Sequence, residues 1–252
     1  MFIKLKNLQI YYKVSGSGEP IVLLHGWGRS GDCFSKIQEH LSDKFTIYAL
    51  DLPGFGLSTM PAEIWGSADY ANLVGLFINE LQIVNPILVG HSLGGKIAIN
   101  LVSKEFSAVK KLILIGSSGV LLPKSLKIKA KIYFFKLLKF LTGLPIIRDI
   151  FASRMELYKK RFGSKDYQNA SGIMRAVLVK TVNESVIELL PRIKIPTLLL
   201  WGDQDNETPL QAGKILHEAI LNSQLKVISG GGHFPFLDNW EMVKVELDSF
   251  LG

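Results

Sequence analysis

The sequence predicts an α/β fold: a mostly parallel sheet flanked by helices, with a helical insert. Three observations carry this prediction. Short apolar runs rich in Ile, Val and Leu recur along the chain, parted by stretches with helix-like apolar spacing. A strand-turn-helix pattern encloses Gly90-His91-Ser92-Leu93-Gly94. About eighty residues separate the run ending at Ile115 from the one starting at Thr197, too many for a structureless loop in a compact domain.

The elements follow in order. Residues 2–6 and 8–14 read as an antiparallel pair. Gly16 and Gly18 in SGSGEP then make a turn. It is no dinucleotide loop, because a third glycine is missing and Glu19-Pro20 leads into a strand. The runs 21–24, 45–50, 87–89, 111–115, 197–201 and 225–228 suit strands buried on both faces. The stretches 34–41, 68–83, 96–104, 210–221 and 240–250 carry helical spacing. Strands alternating with helices imply right-handed crossovers. The long interval makes 120–190 a helical cap mounted on a core of 1–119 and 191–252.

Composition narrows the function classes. The chain has 252 residues, of which 48% are hydrophobic and 20% charged, which excludes disordered and collagen-like classes. Cys33 is the one cysteine, so neither an intramolecular disulfide framework nor a multi-cysteine zinc site can form. The five histidines include no His-x-x-x-His pair, so no metal is expected. The first ten residues lack a signal-peptide pattern, and no charge-free apolar stretch reaches the ~18 residues of a membrane span. The expected location is the cytoplasm.

The net charge of +7 is uneven. Between Lys124 and Lys165 twelve Lys or Arg face only Asp149 and Glu156, so the rest of the chain is mildly acidic. Residues 124–141 read as an amphipathic helix with a broad lysine arc. Its expected place is a solvated face over a substrate pocket, with weak contact to anionic membranes as the sharper alternative. No nucleic-acid-binding motif accompanies the charge, so no nucleic-acid partner is expected.

The chemistry centres on Ser92. A sharp strand-to-helix turn exposes its hydroxyl, and Gly90 and Gly94 let neighbouring backbone approach. A serine needs a base, and histidine suits neutral pH. His233 follows the last strand on the glycine-rich loop Ser229-Gly-Gly-Gly-His233, which can carry it back over the sheet edge. His25 follows a strand where loop ordering is expected, and the turn should point His91 away from Ser92. His40 and His217 lie in ordinary helical patterns. The histidine needs a carboxylate to orient it. The loop Asp203-Gln204-Asp205-Asn206-Glu207 offers three, taken in the order Asp205, Asp203, Glu207. Asp238 follows His233 too closely, and 116–118 offer no acid. Backbone N–H groups of Leu93 and Trp27 are the candidate oxyanion donors. Trp27, His91, Phe135 and Phe234 are the candidate substrate-lining side chains.

With HGWG at 25–28, DLPGFGLS at 51–58, GHSLGG at 90–95, WGDQD at 201–205 and GGHFP at 231–235, the chain resembles the α/β-hydrolase superfamily over essentially its whole length. The resemblance implies an eight-stranded, mostly parallel sheet with a cap after strand six, and a serine hydrolase without a cofactor. Asp51 belongs to a structural signature and receives no catalytic role. The expected reaction is acyl transfer from short to medium carboxylic esters to water through an acyl-enzyme. Lactones or carbon–carbon bonds cleaved by the same triad are alternatives, and so is a non-catalytic ligand receptor on this fold. The expected partner is therefore a small ester or lactone.

Overall fold

In the computed structural model, residues 1–104, 109–123 and 165–252 are described. Strands β1 (Phe2–Leu5) and β2 (Leu8–Ser15) form the expected antiparallel pair. Strands β3 (Glu19–Leu24), β4 (Phe45–Leu50), β5 (Ile87–His91), β6 (Lys111–Ile115), β7 (Thr197–Gly202) and β8 (Ser223–Ile228) complete the sheet. Its order is β1-β2-β4-β3-β5-β6-β7-β8. β2 meets β4 antiparallel, and every pairing from β4 to β8 is parallel. All those parallel strands therefore end at one edge, where the loops carrying the motifs gather.

The central strands alternate strictly between two buried layers. Val22, Leu24, Leu88, Leu112, Leu114, Leu199 and Trp201 face one side; Ile21, Leu23, Ile87, Val89, Ile113, Ile115, Leu198 and Leu200 face the other. Burial on both sides explains why these runs look uniformly apolar in the sequence. Each such aliphatic side chain contributes ~1.5–3 kcal/mol by leaving water. Helices α2 (Ser67–Glu80), α3 (Leu93–Val102) and α6 (Leu210–Ala219) cover the first layer. Helices α1 (Ser35–Leu41) and α8 (Trp240–Leu251) cover the second, with the short α7 (Pro235–Asp238). Two further helices, α4 (Lys165–Asn169) and α5 (Gly172–Asn183), lie between β6 and β7 within the interval expected to be a cap. The basic helix expected at 124–141, with Phe135, lies outside the described residues. Among the described residues no helix is long and apolar enough to cross a membrane.

One start differs from expectation. The third central helix begins at Leu93 rather than Lys96, directly after Ser92. The glycines at 94 and 95 lower helix propensity locally, but packing of the turn against the sheet outweighs that preference.

Candidate active site

Ser92 sits between β5 and α3 with φ +51° and ψ −111°. Such a conformation costs a non-glycine residue about 1–3 kcal/mol and persists only where surroundings hold it. They do so here. The Ser92 N–H donates to the Ile115 carbonyl at 3.1 Å, and the Ser118 N–H and hydroxyl donate to the Ser92 carbonyl at 3.1 and 3.2 Å. Gly94 is required sterically, because a Cβ there would run into the Leu24 carbonyl. Leu93 opens α3, and Trp27 follows the end of β3. Among the described residues neither backbone N–H has a hydrogen-bond partner, and both residues line one cavity of about 380 Å³ with Ser92 and His233. Free amides beside a serine at a helix N-terminus can stabilise negative charge.

His233 comes from the loop after β8. Its Nδ1–H donates to Asp205 Oδ2 at 2.8 Å, and the Asp205 side chain is wholly buried. This fixes the neutral ring with the lone pair on Nε2, the form a general base needs. Asp205 is itself held by four donors. Oδ1 accepts the N–H groups of Glu207 and Thr208 at 2.9 and 2.8 Å; Oδ2 accepts the Thr208 hydroxyl at 2.8 Å besides His233. Burial pushes the Asp205 carboxyl up, but the hydrogen bond and charge of His233, with the hydrogen bonds of Thr208, outweigh it. The net effect is a carboxyl below its ordinary value. Gly202 allows the two loops to meet, since a Cβ there would strike the carbonyls of Gly231 and Gly232.

The other acids separate cleanly. Asp203 accepts the Gly230 N–H at 2.8 Å and orders the turn after β8. Asp238 accepts the Gly232 N–H at 2.8 Å in the same loop. Glu207 is largely exposed and lies at the far side of the ring, 3.5 Å from His233 Nε2. Asp51 accepts the N–H groups of Gly31 and Leu57, a loop-ordering position.

The remaining histidines also divide. His25 is fully buried; its Nδ1–H donates to the Gly26 carbonyl at 2.7 Å, and Nε2 accepts the Leu52 N–H at 2.9 Å. Desolvation lowers its pKa to about 4. His91 is only 1% exposed and is not among the residues lining the 380 Å³ cavity. Strand alternation turns it toward the second layer, where it packs against Phe234 and Phe236. It borders a small adjoining space together with Ser92, His233, Arg29 and Phe234. Its Nε2–H donates to the His233 carbonyl at 2.8 Å, and desolvation lowers its pKa to about 3. Phe234 stacks under the Arg29 guanidinium at 4.7 Å.

Serine, imidazole and two amides without a partner among the described residues thus border one cavity at the carboxyl ends of parallel strands, with the carboxylate hydrogen-bonded to the imidazole. Residues 19–239 match the family model for the alpha/beta hydrolase fold. The chain belongs to the α/β-hydrolase family. Among curated relatives, Lipase 3 of Moraxella sp. (strain TA144) is 27% identical, with 88% of this chain and 74% of that protein covered. The pimeloyl-[acyl-carrier protein] methyl ester esterase of Chromobacterium violaceum is 28% identical, with 92% and 94% covered. Among solved structures, an esterase from Exiguobacterium antarcticum matches with a TM-score of 0.77 at 27% identity, covering 99% of this chain and 98% of that one.

Two residues of this α/β hydrolase escaped the sequence reading. Thr208 fastens the acid, and the available signal was a hydroxyl residue three positions after Asp205. Lys96 lines the cavity although only 2% of it is exposed. Its signal was a single lysine inside the apolar run that follows Ser92. Every residue of α3 is buried, so this lysine had to be buried too.

Proposed function

We propose that the protein hydrolyses carboxylic esters of short to medium acyl chains through a covalent acyl-enzyme on Ser92. The observation that carries this reading is the Asp205–His233 hydrogen bond beside a cavity that also holds Ser92 at its strained turn. His233 Nε2 takes the Ser92 proton as Oγ attacks the ester carbonyl. The amides of Trp27 and Leu93 receive the oxyanion. The tetrahedral intermediate collapses, and the protonated His233 returns its proton to the departing alcohol. Water, deprotonated by His233, then attacks the acyl-enzyme; the second tetrahedral intermediate expels Ser92 Oγ, to which His233 returns the proton, and the acid leaves. Asp205 keeps Nδ1 protonated throughout. The relatives named as a lipase and as esterases support ester hydrolysis as the reaction class.

The test is a panel of esters of graded acyl length, with labelling by a fluorophosphonate probe. Wild type is expected to turn over the shorter esters and to take up one probe at Ser92. Ser92→Ala is expected to lose about 10⁴-fold or more in kcat and all labelling, with its thermal midpoint retained. A folded Ser92→Ala protein with wild-type turnover would refute the reading.

A further inference from the structure

We propose that Lys96 is a substrate-binding residue whose ammonium receives a carboxylate carried on the acyl chain, beyond the scissile carbonyl. This deepens the ester-hydrolase reading and rests on it. The preferred substrates are then monoesters of dicarboxylic acids.

Lys96 lies one helical turn after Ser92, a rise of about 6 Å along α3. It lines the cavity that holds Ser92 and His233, with Val120, Leu121, Leu122 and Leu178 on the same wall. An ammonium carries three N–H donors. Two go to main-chain carbonyls at the end of α5, Thr181 at 2.5 Å and Glu184 at 3.0 Å. The third has no partner among the described residues.

The charge is equally incomplete. The neighbouring carboxylate, Glu184, accepts the N–H and hydroxyl of Ser67 at 2.8 and 2.6 Å and makes no ion pair with Lys96 among the described residues. A buried cation without a direct ion pair is costly, and a well-packed apolar residue of similar volume would avoid that cost. Desolvation lowers the Lys96 pKa to about 8, which still leaves the amine mostly protonated at neutral pH. Docking α5 uses two of the three donors, and among the described residues only the through-space attraction of Glu184 acts against the charge. A carboxylate entering through the cavity answers both.

The experiment compares monomethyl esters of the straight-chain diacids from succinate to suberate with methyl alkanoates of matching length. At one chain length the wild-type kcat/KM is expected to favour the free acid by about tenfold or more. In Lys96→Met that ratio is expected to fall to one or below, whatever the absolute rate. Lys96→Arg is expected to keep part of it. A wild-type ratio near one at every length overturns the proposal, and so does a preference that survives in Lys96→Met. If Lys96→Met does not fold, the wild-type ratio alone decides. A binding readout separates this proposal from the ester reading. The matching diacid is expected to raise the thermal midpoint of wild type more than the alkanoic acid does. Equal shifts refute the subsite even if no ester is turned over, whereas absent turnover and absent probe labelling refute the ester reading alone.

Discussion

The strand-end wall of the cavity and the wall formed by α3 and α5 hold their polar groups in opposite ways. At the strand ends three of the four donors to Asp205 are local. Asp205 is fixed by Glu207 and Thr208, two and three residues further on, and every donor around it is matched by an acceptor. On the α3 side the contacts span the chain. Lys96 reaches Thr181 and Glu184, and Ser67 reaches Glu184 across 117 residues. One wall is complete in itself, and the other keeps a donor in reserve. Changes at the strand ends should therefore slow every substrate alike, while changes on the α3 side should alter the ratio between substrates.

The largest expected effect tests the first half of that contrast. Asp205→Asn preserves shape but removes the charge that fixes the His233 tautomer. It is expected to lower kcat by about 10⁴-fold on all esters. The ratio between diacid monoesters and alkanoates should stay at its wild-type value. A selective loss for one substrate class would break the comparison.

The next effect is on stability and comes from the two histidines packed behind the strand-end wall. His25 and His91 are buried with pKa values of about 4 and about 3. In the unfolded chain each takes up a proton near pH 6.5. Between that pH and their folded values the unfolded state binds more protons, so stability falls as pH falls. Each group contributes ~1.4 kcal/mol per pH unit across that window, several kcal/mol together by pH 4.5. Urea midpoints at pH 7, 5.5 and 4.5 should fall accordingly, and His91→Gln should flatten the slope. An unchanged midpoint down to pH 4.5 would contradict the neutral, buried state of both rings.

The same contrast explains what the sequence made legible. The strands were readable because burial on both faces leaves uninterrupted apolar runs, as at 111–115. Ser92, Asp205 and His233 were candidates in the sequence because each follows a strand on a loop with its own glycine pattern. Lys96 was not, because its partners arrive from another part of the chain and no local pattern encodes that meeting. The expectation that the turn points the His91 side chain away from Ser92 follows from strand alternation, which sends adjacent residues to opposite faces. Glu207 ranked behind Asp205 and Asp203, yet it lies 3.5 Å from Nε2 because the turn that ties its N–H to Asp205 aims its side chain over the ring.

Thr208 offers the finest test of the strand-end wall. Its single hydroxyl proton is shared between Asp205 Oδ2 at 2.8 Å and the Gly116 carbonyl at 3.0 Å, while His233 Nδ1 lies 3.3 Å away. Thr208→Val keeps the shape and the backbone N–H that Asp205 Oδ1 accepts, and removes only the hydroxyl. Asp205 then keeps three of its four donors, so the ring should stay in place but less firmly. A hydrogen bond to a charged group contributes ~1.5–3 kcal/mol, and partial compensation by the remaining donors should leave a loss of about tenfold in kcat. KM and the substrate ratio should not move. The Asp205 carboxyl should rise toward its ordinary value, because it loses one of the groups that hold it down. Thr208→Ser should recover both values. If Thr208→Val changed the substrate ratio instead of kcat, the two walls would be coupled through this hydroxyl rather than acting separately.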